Sequence, residues 1–385
     1  MSEEKKPIPD ALKKFQEDLE RDKDWDKQKK ELQKKKLLVD DYKYTNELEI
    51  ITKSKSDISK IDKVNVGVMS DEEIQETMIK NRLYLEGAKN GMLFLNETFR
   101  NFIPCWAGNI ILVGARTGGG KSSATANLIY STVKQTNPLT GKNRKVLCIS
   151  CEETPLQVFN RLTCLVLGYN FNEQDEFTEE QKTQLVEFSG KWPKYGVTVI
   201  GDDGHGRTDS IEGIRSIFEN LVALKEYYDL ILIDYIQKIV TSKKNPKAQQ
   251  FTVLKDVMNI LDYYKNEYPA PIVVMSQLSS QNAGDPENEL DFQDRLRGCK
   301  DLITPCTVAL EMVPDVQNLR TRWYVRKNRY KGSTVNGWKD TAYDRGMFKP
   351  MTTAWEKEVS LSKEKKEWAE QVGKHVFDNK EENKE

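Results

Sequence analysis

The sequence has 385 residues, of which 38% are hydrophobic, and this is enough for one large α/β domain with smaller attachments. Its formal net charge is -1, so no general excess of positive charge indicates nucleic-acid binding, and any such surface must be local. No apolar run approaches the roughly 20 residues that a membrane-spanning helix needs, and the N-terminus lacks a signal-peptide pattern. We therefore expect a soluble protein of the cytoplasm with no membrane partner.

The two ends of the chain are dominated by charged residues. Residues 1–69 are rich in Lys, Glu and Asp, which is typical of an exposed helix or a partly disordered arm. Ser70 can cap a following helix, and Glu73 can complete a capping box. The sequence therefore predicts a helix within residues 70–90, serving as a linker or as a local strap. The charged tail at 351–385 is expected to be a mobile helix or disordered.

Between these ends, short apolar runs alternate with amphipathic segments, which predicts a single domain over residues 91–350. Apolar runs separated by helices indicate a mostly parallel sheet that is covered on both faces. The predicted parallel strands are 109–115, 145–150, 197–202, 230–235 and 271–276, and the predicted helices are 121–134, 155–168, 178–190, 210–227 and 251–267. Two further runs, 308–313 and 322–327, are expected to extend the sheet in antiparallel fashion because their connections are short.

The segment after the first predicted strand is typical of a phosphate-binding loop. It has Ala115 where the usual pattern has its first glycine, and it ends in Gly-Lys-Ser at the start of a helix. Glycines let backbone N–H groups curl around phosphate oxygens, and the helix N-terminus adds partial positive charge. Lys121 would reach the β- and γ-phosphates of ATP, and Ser122 would ligate Mg²⁺. The residues expected to hold the nucleotide are Ala115, Arg116, Thr117, Gly118, Gly119, Gly120, Lys121, Ser122 and Ser123.

Acidic and polar residues end three other predicted strands. Asp234 ends an apolar strand at the edge where open parallel sheets bind ligands, so it can hold the metal together with Ser122. Glu152 and Glu153 follow another strand: one of them can be the base that activates the attacking water, or both can be solvated loop acids. Gln277 lies at the tip of a third strand, where it could sense the γ-phosphate or be a plain strand terminus.

The cysteines do not indicate a metal site. Cys148 and Cys151 form a C-x-x-C, but no second pair completes it, and the whole chain has two histidines. Their spacing places them on opposite faces of a predicted strand. We interpret them as reduced structural cysteines.

In this order, the motifs resemble the C-terminal motor domain of DnaB-type replicative DNA helicases, including phage-encoded members. ARTGGGKS resembles that family's A-R-P-x-x-G-K-T, VLCISCEE its strand ending in S-L-E-M, and LILIDYIQ its I-D-Y-L-Q. VVMSQLSS resembles L-S-Q-L-x-R, and YVRKNRYKG resembles the closing K-x-R-x-G. The resemblance covers roughly residues 90–345 and implies a RecA-like core: a twisted, mostly parallel sheet with helices on both faces and antiparallel C-terminal strands.

The resemblance also implies roles for single residues. It aligns Glu152, rather than Glu153, with the family's catalytic glutamate. It assigns Lys327 and Arg329 to the γ-phosphate bound by a neighbouring copy, so that hydrolysis would require assembly into a homo-hexamer. Taken alone, this basic segment is more typical of a solvated strand end or a contact with the phosphate backbone.

Single-stranded DNA is the partner that the resemblance implies, bound by two loops that face the central channel of a ring. These loops are expected at 241–250 and 279–297, and their candidate phosphate contacts are Lys243, Lys244, Lys247, Arg295 and Arg297. Two departures from the family stand out: the first 90 residues lack the length of its N-terminal collar, and RLRGCKDLITPCT lacks its usual acidic residues. Contacts with a loader or a primase are therefore not transferred to particular residues.

Three functions fit these motifs. The first is a ring-shaped, ATP-driven helicase that moves 5′ to 3′ on single-stranded DNA, with the polarity taken from the resemblance alone. The second is a recombinase or strand-annealing ATPase on the same core, and the third is a non-motor regulatory ATPase. The K-x-R ending favours the helicase, whereas the reduced N-terminal region leaves the third alternative open.

Overall fold

A computed structural model describes residues 91–352, except for 101, 139, 202–207, 225, 240–248, 269, 280–288, 331 and 333–334; of residues 289–291 it describes the backbone only. The predicted N-terminal arm, the predicted helix at 70–90 and residues 353–385 of the predicted tail lie outside the described residues.

Within the described residues, nine strands form one sheet in the order β3-β2-β4-β5-β1-β6-β7-β8-β9. The strands are β1 (Ile110–Ala115), β2 (Val146–Ser150), β3 (Val197–Ile200), β4 (Leu230–Asp234), β5 (Ile272–Gln277), β6 (Val308–Asp315), β7 (Arg320–Asn328), β8 (Trp338–Asp344) and β9 (Met347–Pro350). The first six strands in this order are parallel, and β7, β8 and β9 continue the sheet in antiparallel fashion. The carboxyl ends of β1, β2, β4 and β5 therefore meet at one edge of the sheet.

Local sequence determines where several of the helices begin and end. The described helices are α1 (Lys121–Val133), α2 (Pro155–Leu167), α3 (Glu179–Ser189), α4 (Ile211–Ala223), α5 (Gln250–Glu267) and α6 (Glu289–Arg295). Thr154 and Thr178 each form a capping box with the glutamine three residues further on, which satisfies backbone donors at the starts of α2 and α3. Gly168 ends α2 in the left-handed conformation, with φ of +72°.

The central strands are buried on both faces. Ile111 joins the core that α1 and α2 cover, and Ile110 joins the core that α4 and α5 cover. Cys148 and Cys151 likewise belong to the two different cores, as their spacing predicts. Burial on both faces explains why these strands are continuous apolar runs rather than alternating ones.

The predicted α/β class is confirmed, and the predicted strands and helices agree with the structure to within a few residues at their ends. One strand direction was wrong: β6 is parallel to β1, and only β7 runs antiparallel to it. The connection from β5 to β6 contains α6 and a 3₁₀ turn at Lys300–Ile303, so it is long enough for a parallel crossover. The strands β8 and β9 were not predicted from the sequence.

A buried ion triad fastens α6 to the sheet. The carboxylate of Glu311 on β6 accepts hydrogen bonds from Arg295 Nη2 at 2.9 Å and from Arg326 Nε at 2.9 Å. All three side chains are buried, and Arg295 has no exposed surface. The prediction that Arg295 contacts DNA phosphates is therefore wrong for this fold, because the guanidinium is enclosed and already bound to a carboxylate.

We expect Glu311→Ala to lower the free energy of unfolding by about 3–5 kcal/mol, because two buried guanidinium groups would lose their counter-charge. Urea denaturation followed by circular dichroism would measure this. Glu179→Ala, which removes an exposed carboxylate paired with Lys182, is the control and should cost less than about 1 kcal/mol. Replacing the whole triad (Arg295→Met, Glu311→Leu, Arg326→Met) should recover most of the lost stability, because no buried charge is left unpaired. An equal loss of stability in Glu311→Ala and Glu179→Ala would contradict the prediction.

Candidate functional site

The loop between β1 and α1 has the shape of a phosphate cradle. Gly118 and Gly120 have positive φ angles of 73° and 86°, which favour glycine. A Cβ on Gly119 would lie 2.9 Å from the carbonyl oxygen of Arg116, so a larger residue would open the loop. Gly120 caps α1 without a side-chain hydrogen bond. The first N–H groups of α1 therefore face the loop and can bind an anion.

Lys121 is folded back over this loop. Its Nζ donates to the carbonyl oxygen of Arg116 at 3.3 Å and lies 5.4 Å from the centre of the Tyr235 ring. Burial lowers the pKa of Lys121, and the nearby carboxylates of Asp234 and Glu152 oppose that change. The ammonium group thus contacts the loop backbone and lies within electrostatic reach of two acidic side chains.

Asp234 is buried at the carboxyl end of β4, on the same sheet edge as the loop. Its Oδ1 has no hydrogen-bond partner among the residues that the structure describes. Burial raises the pKa of Asp234 to about 6, because an ionised carboxylate loses its hydration there. A buried carboxylate oxygen without a partner fits an oxygen-seeking cation such as Mg²⁺, which Ser122 at the start of α1 could bind together with Asp234.

The two adjacent glutamates after β2 have different environments. Glu153 forms an ion pair with Arg161 of α2, and its backbone N–H donates to Ser150 Oγ at 3.0 Å. Glu152 is about half exposed and lies 3.2 Å from Lys238 Nζ. Glu153 is thus held against α2, whereas Glu152 lies within electrostatic reach of Lys121. This arrangement is consistent with the prediction that Glu152 is the base, which stays a prediction.

Gln277 connects β5 with the phosphate loop. Its Nε2 donates to Thr117 Oγ1, and its backbone N–H donates to Gln237 Oε1 at 2.9 Å. Gln237 in turn donates to Ser276 Oγ at 2.8 Å and to the carbonyl oxygen of Arg297 at 3.1 Å. Gln277 therefore contacts the phosphate loop directly, and Gln237 holds the backbone of Gln277 in place.

An open groove lies beside α1. Its lining includes Ser123, Arg161, Phe171, Tyr343 and Arg345. Tyr343 belongs to β8, and its hydroxyl lies 3.4 Å from Ser123 Oγ. Because Ser123 follows the phosphate loop directly, this groove lies next to the loop.

Lys327 and Arg329 lie far from this edge. Lys327 on β7 pairs with Ala309 on β6, and Ala309 pairs with Leu112 in the middle of β1. The backbone N–H of Arg329 donates to the carbonyl oxygen of Thr307, which lies beside Ile110 at the start of β1. Both side chains donate to the carbonyl oxygen of Thr304, at 2.9 Å and 2.8 Å. Burial, together with Arg329, lowers the pKa of Lys327. A strand of six residues spans roughly 20 Å, so Arg329 lies about a strand length from the phosphate loop of its own chain.

The predicted DNA contacts have separate outcomes. Lys243, Lys244 and Lys247 lie outside the described residues. Arg297 is exposed, and its backbone N–H donates to the carbonyl oxygen of Gln277 at 3.2 Å, so it lies beside the nucleotide edge.

Four residues of this site were missed by sequence reasoning: Arg161, Gln237, Lys238 and Tyr343. For Gln237, the glutamine of LILIDYIQ was a usable signal. Arg161, Lys238 and Tyr343 come from separate elements, and only the tertiary structure brings them together. Among the described residues, no helix is long and apolar enough to cross a membrane.

Comparisons with known proteins relate the chain to replicative helicases. Residues 88–289, a little more than half of the chain, match the family model described as DnaB-like helicase C terminal domain. The chain is 25% identical over 227 residues to the replicative DNA helicase DnaB of Mycoplasma genitalium; the match covers 56% of this chain and 45% of the relative. The chain therefore spans less than half the length of that curated relative.

Two solved structures share the fold. One is an ATPase domain that superposes with a TM-score of 0.55 at 16% identity, over 74% of this chain and 100% of its own. The other is a DnaB-like replicative helicase, described with its interactions with primase, at a TM-score of 0.54 and 14% identity, over 79% of this chain and 72% of its own. At these identities the similarity shows the fold alone, and it confirms the predicted RecA-like core.

The burial of Asp234 predicts a dependence of stability on pH. Because burial raises its pKa from 3.8 to about 6, the stability contributed by the protonated carboxyl is fully present below pH 3.8 and is lost as the pH rises through about 6. Asp234→Asn cannot ionise, so at about pH 7.5 it should be more stable than the wild type by up to roughly 3 kcal/mol, and this gain should shrink towards about pH 4.

Urea denaturation of both proteins at the two pH values, without nucleotide or metal, would measure this difference. Asp229→Asn is the matched control, because Asp229 accepts hydrogen bonds from Asn137 at 2.7 Å and from Arg144 at 3.1 Å. That control should lose stability at neutral pH. Equal stability of wild type and Asp234→Asn at about pH 7.5 would show that the buried carboxylate carries no such cost.

Proposed function

Because the chain belongs to the DnaB-like helicase C-terminal domain family, we propose that it is an ATP-driven motor that moves on single-stranded DNA and unwinds duplex during replication. The observation that carries this proposal is the meeting of Lys121, Asp234, Glu152 and Gln277 at one sheet edge. A phosphate loop alone would fit many ATPases. A base, a metal-binding carboxylate and a γ-phosphate sensor at the same edge fit repeated hydrolysis.

Within one subunit, the phosphate loop and Lys121 bind and orient the triphosphate of ATP. Glu152 accepts a proton from the attacking water, whose oxygen forms a bond to the γ-phosphorus while the bond to the bridging oxygen of ADP breaks. Gln277 contacts Thr117 of the loop and is placed to respond when the γ-phosphate leaves. Ser122 and Asp234 would hold Mg²⁺, which when bound offsets the negative charge of the β- and γ-phosphates.

The second half of the site comes from a neighbouring copy. Lys327 and Arg329 lie at the other end of the sheet from their own phosphate loop, so they are available to the nucleotide of an adjacent subunit. Their present contacts are backbone carbonyl oxygens, which a phosphate can replace. A cation that arrives with assembly neutralises charge in the transition state. This supports a ring, and the resemblance suggests six copies.

DNA would bind through Arg297 at the nucleotide edge and, as the resemblance implies, through Lys243, Lys244 and Lys247. Its phosphates would attract these cations without reading the base sequence. One similar solved structure is described with its interactions with primase, and we extend that partner class, together with a loader, to this chain as a proposal. The proposed location is the cytoplasm, which is the host cytoplasm if the chain is phage-encoded.

Lys121→Ala should lower kcat/KM for ATP about a hundredfold or more, because the γ-phosphate loses its main cation. Release of inorganic phosphate would measure this, and thermal melting would verify the fold. Lys182→Ala, which removes an exposed lysine of α3, is the control and should hydrolyse ATP like the wild type. Unchanged hydrolysis by Lys121→Ala would exclude the loop as the nucleotide site.

Arg329→Ala should bind nucleotide like the wild type and lose at least about a hundredfold in kcat. A mixture of the Arg329→Ala and Lys121→Ala proteins should regain part of the activity, because an intact loop of one copy can meet an intact Arg329 of the other. Steady-state hydrolysis at several mixing ratios would measure this. No regain at any ratio, with mixed assembly verified by mass, would contradict action across the interface.

Helicase activity is tested with a fork that carries a single-stranded 5′ tail. We expect ATP-dependent strand separation, faster hydrolysis with single-stranded DNA, and rings in electron micrographs. Filaments without rings would support the recombinase alternative instead. ATP hydrolysis that DNA does not change, without unwinding, would support the non-motor ATPase.

A further inference from the structure

The proposed base, Glu152, is held by a lysine from a different strand end. Lys238 Nζ lies 3.2 Å from Glu152 Oε1, and the two side chains are 42% and 47% exposed. Lys238 ends the 3₁₀ turn Ile236–Lys238 that follows β4 directly. Ile236 and Gln237 are buried, and Gln237 is fixed by several hydrogen bonds, so the backbone of this turn is held firmly. Only the long side chain of Lys238 reaches outward to Glu152.

This contact works against the chemistry proposed for Glu152. The Glu152 oxygen that contacts the Lys238 ammonium group is turned towards it and away from other partners. Half-exposed ion pairs are weak, and they typically change the equilibrium between the paired and unpaired states by no more than a factor of about five. Another anion can therefore easily replace Glu152 as the partner of Lys238. The Lys238–Glu152 pair therefore suits a reversible restraint better than a permanent support.

Other charges show what could draw Lys238 away. Burial and the Glu152 carboxylate raise the pKa of Tyr235, and the positive charges of Lys238 and Arg297 oppose that rise. Lys238 Nζ is 5.9 Å from the centre of the Tyr235 ring. Two basic side chains with exposed surface, Lys238 and Arg297, thus lie around one tyrosine at the rim of the site. Two neighbouring cations at a rim form a suitable contact for successive phosphates of a nucleic-acid strand.

We propose that Lys238 is a positioning residue that restrains Glu152 in the resting protein, and that phosphates of a single-stranded DNA bound at Lys238 and Arg297 release it. This inference rests on the proposed function. When Lys238 turns to a strand phosphate, Glu152 is free to take the proton of the attacking water. The DNA would thereby raise the rate of hydrolysis through Lys238, which directly follows Gln237, the residue that supports Gln277.

The sign of one substitution separates this role from two others. A lysine that stabilised the transition state would lower kcat when removed. A lysine that only supported the fold would lower the melting temperature and leave the ratio of DNA-stimulated to basal hydrolysis unchanged. A lysine that restrains the base should instead raise the basal kcat when it is removed.

The experiment compares full-length wild type and Lys238→Met by steady-state ATP hydrolysis, with and without a single-stranded oligo-dT. We expect the basal kcat of Lys238→Met to rise about two- to fivefold with little change in KM, and its stimulation by oligo-dT to fall by a similar factor. Lys238→Arg keeps a cation at the same place and should behave like the wild type. Lys255→Met is the matched control, because it removes a half-exposed lysine that pairs with Asp301 at 3.8 Å and is expected to change neither rate.

A second variant tests the source of the phosphate. Arg297→Met should raise the oligo-dT concentration needed for half of the maximal stimulation, with a smaller dependence of that concentration on salt. A Lys238→Met protein whose basal kcat is unchanged or lower, while the wild type is stimulated by oligo-dT, overturns this inference and leaves the proposed function standing. A wild type that hydrolyses ATP without any stimulation by oligo-dT overturns both.

Discussion

The buried carboxylate of Asp234 is the constraint around which the site is arranged. Parallel strands bring β4 and β1 to the same edge, so this buried carboxylate lies near the phosphate loop. One of its oxygens has no partner among the described residues, and burial raises its pKa to about 6. Lys121 nearby is held on Arg116 by a 3.3 Å contact rather than by Asp234. This arrangement costs stability when no cation is bound, and it fits the proposed binding of Mg²⁺ and a polyphosphate.

The reversal of strand direction after β6 separates the two halves of the proposed catalytic machinery. The parallel strands carry the phosphate loop, Asp234 and Gln277 to one edge. The antiparallel strand β7 carries Lys327 and Arg329 to the other, where they contact the turn at Thr304. One chain alone therefore cannot bring its own Arg329 to its own nucleotide without unpairing β7. Under the role proposed for Arg329, sheet topology therefore places its target nucleotide on another copy, whatever the size of the ring.

Motifs that depend on neighbouring residues were predictable, and contacts that depend on distant residues were not. The run LILID predicted both a buried strand and its acidic end, because strand burial and strand ends are local properties. The direction of β6 was not predictable, because α6 and its 3₁₀ neighbour give no strong periodic signal in the sequence. Arginine is usually a surface residue, so nothing in the sequence indicates that Arg295 is buried. Its burial depends on its ion pair with Glu311, which lies on a different element. The residues alone do not distinguish Glu152 from Glu153. The fold does, because Glu153 pairs with Arg161 and Glu152 pairs with Lys238.

Ion pairs have two different uses in this fold, and burial decides between them. The triad of Arg295, Glu311 and Arg326 is enclosed, so breaking it leaves uncompensated charge, and α6 and β7 stay fastened to β6. The pair of Lys238 and Glu152 is half exposed, so water and passing anions compete with it at little cost. The pair of Glu153 and Arg161 lies between these cases, because its side chains are only 20% and 18% exposed. Burial thus keeps α6 and β7 in fixed positions on β6, whereas exposure leaves Glu152 with a partner that can be exchanged.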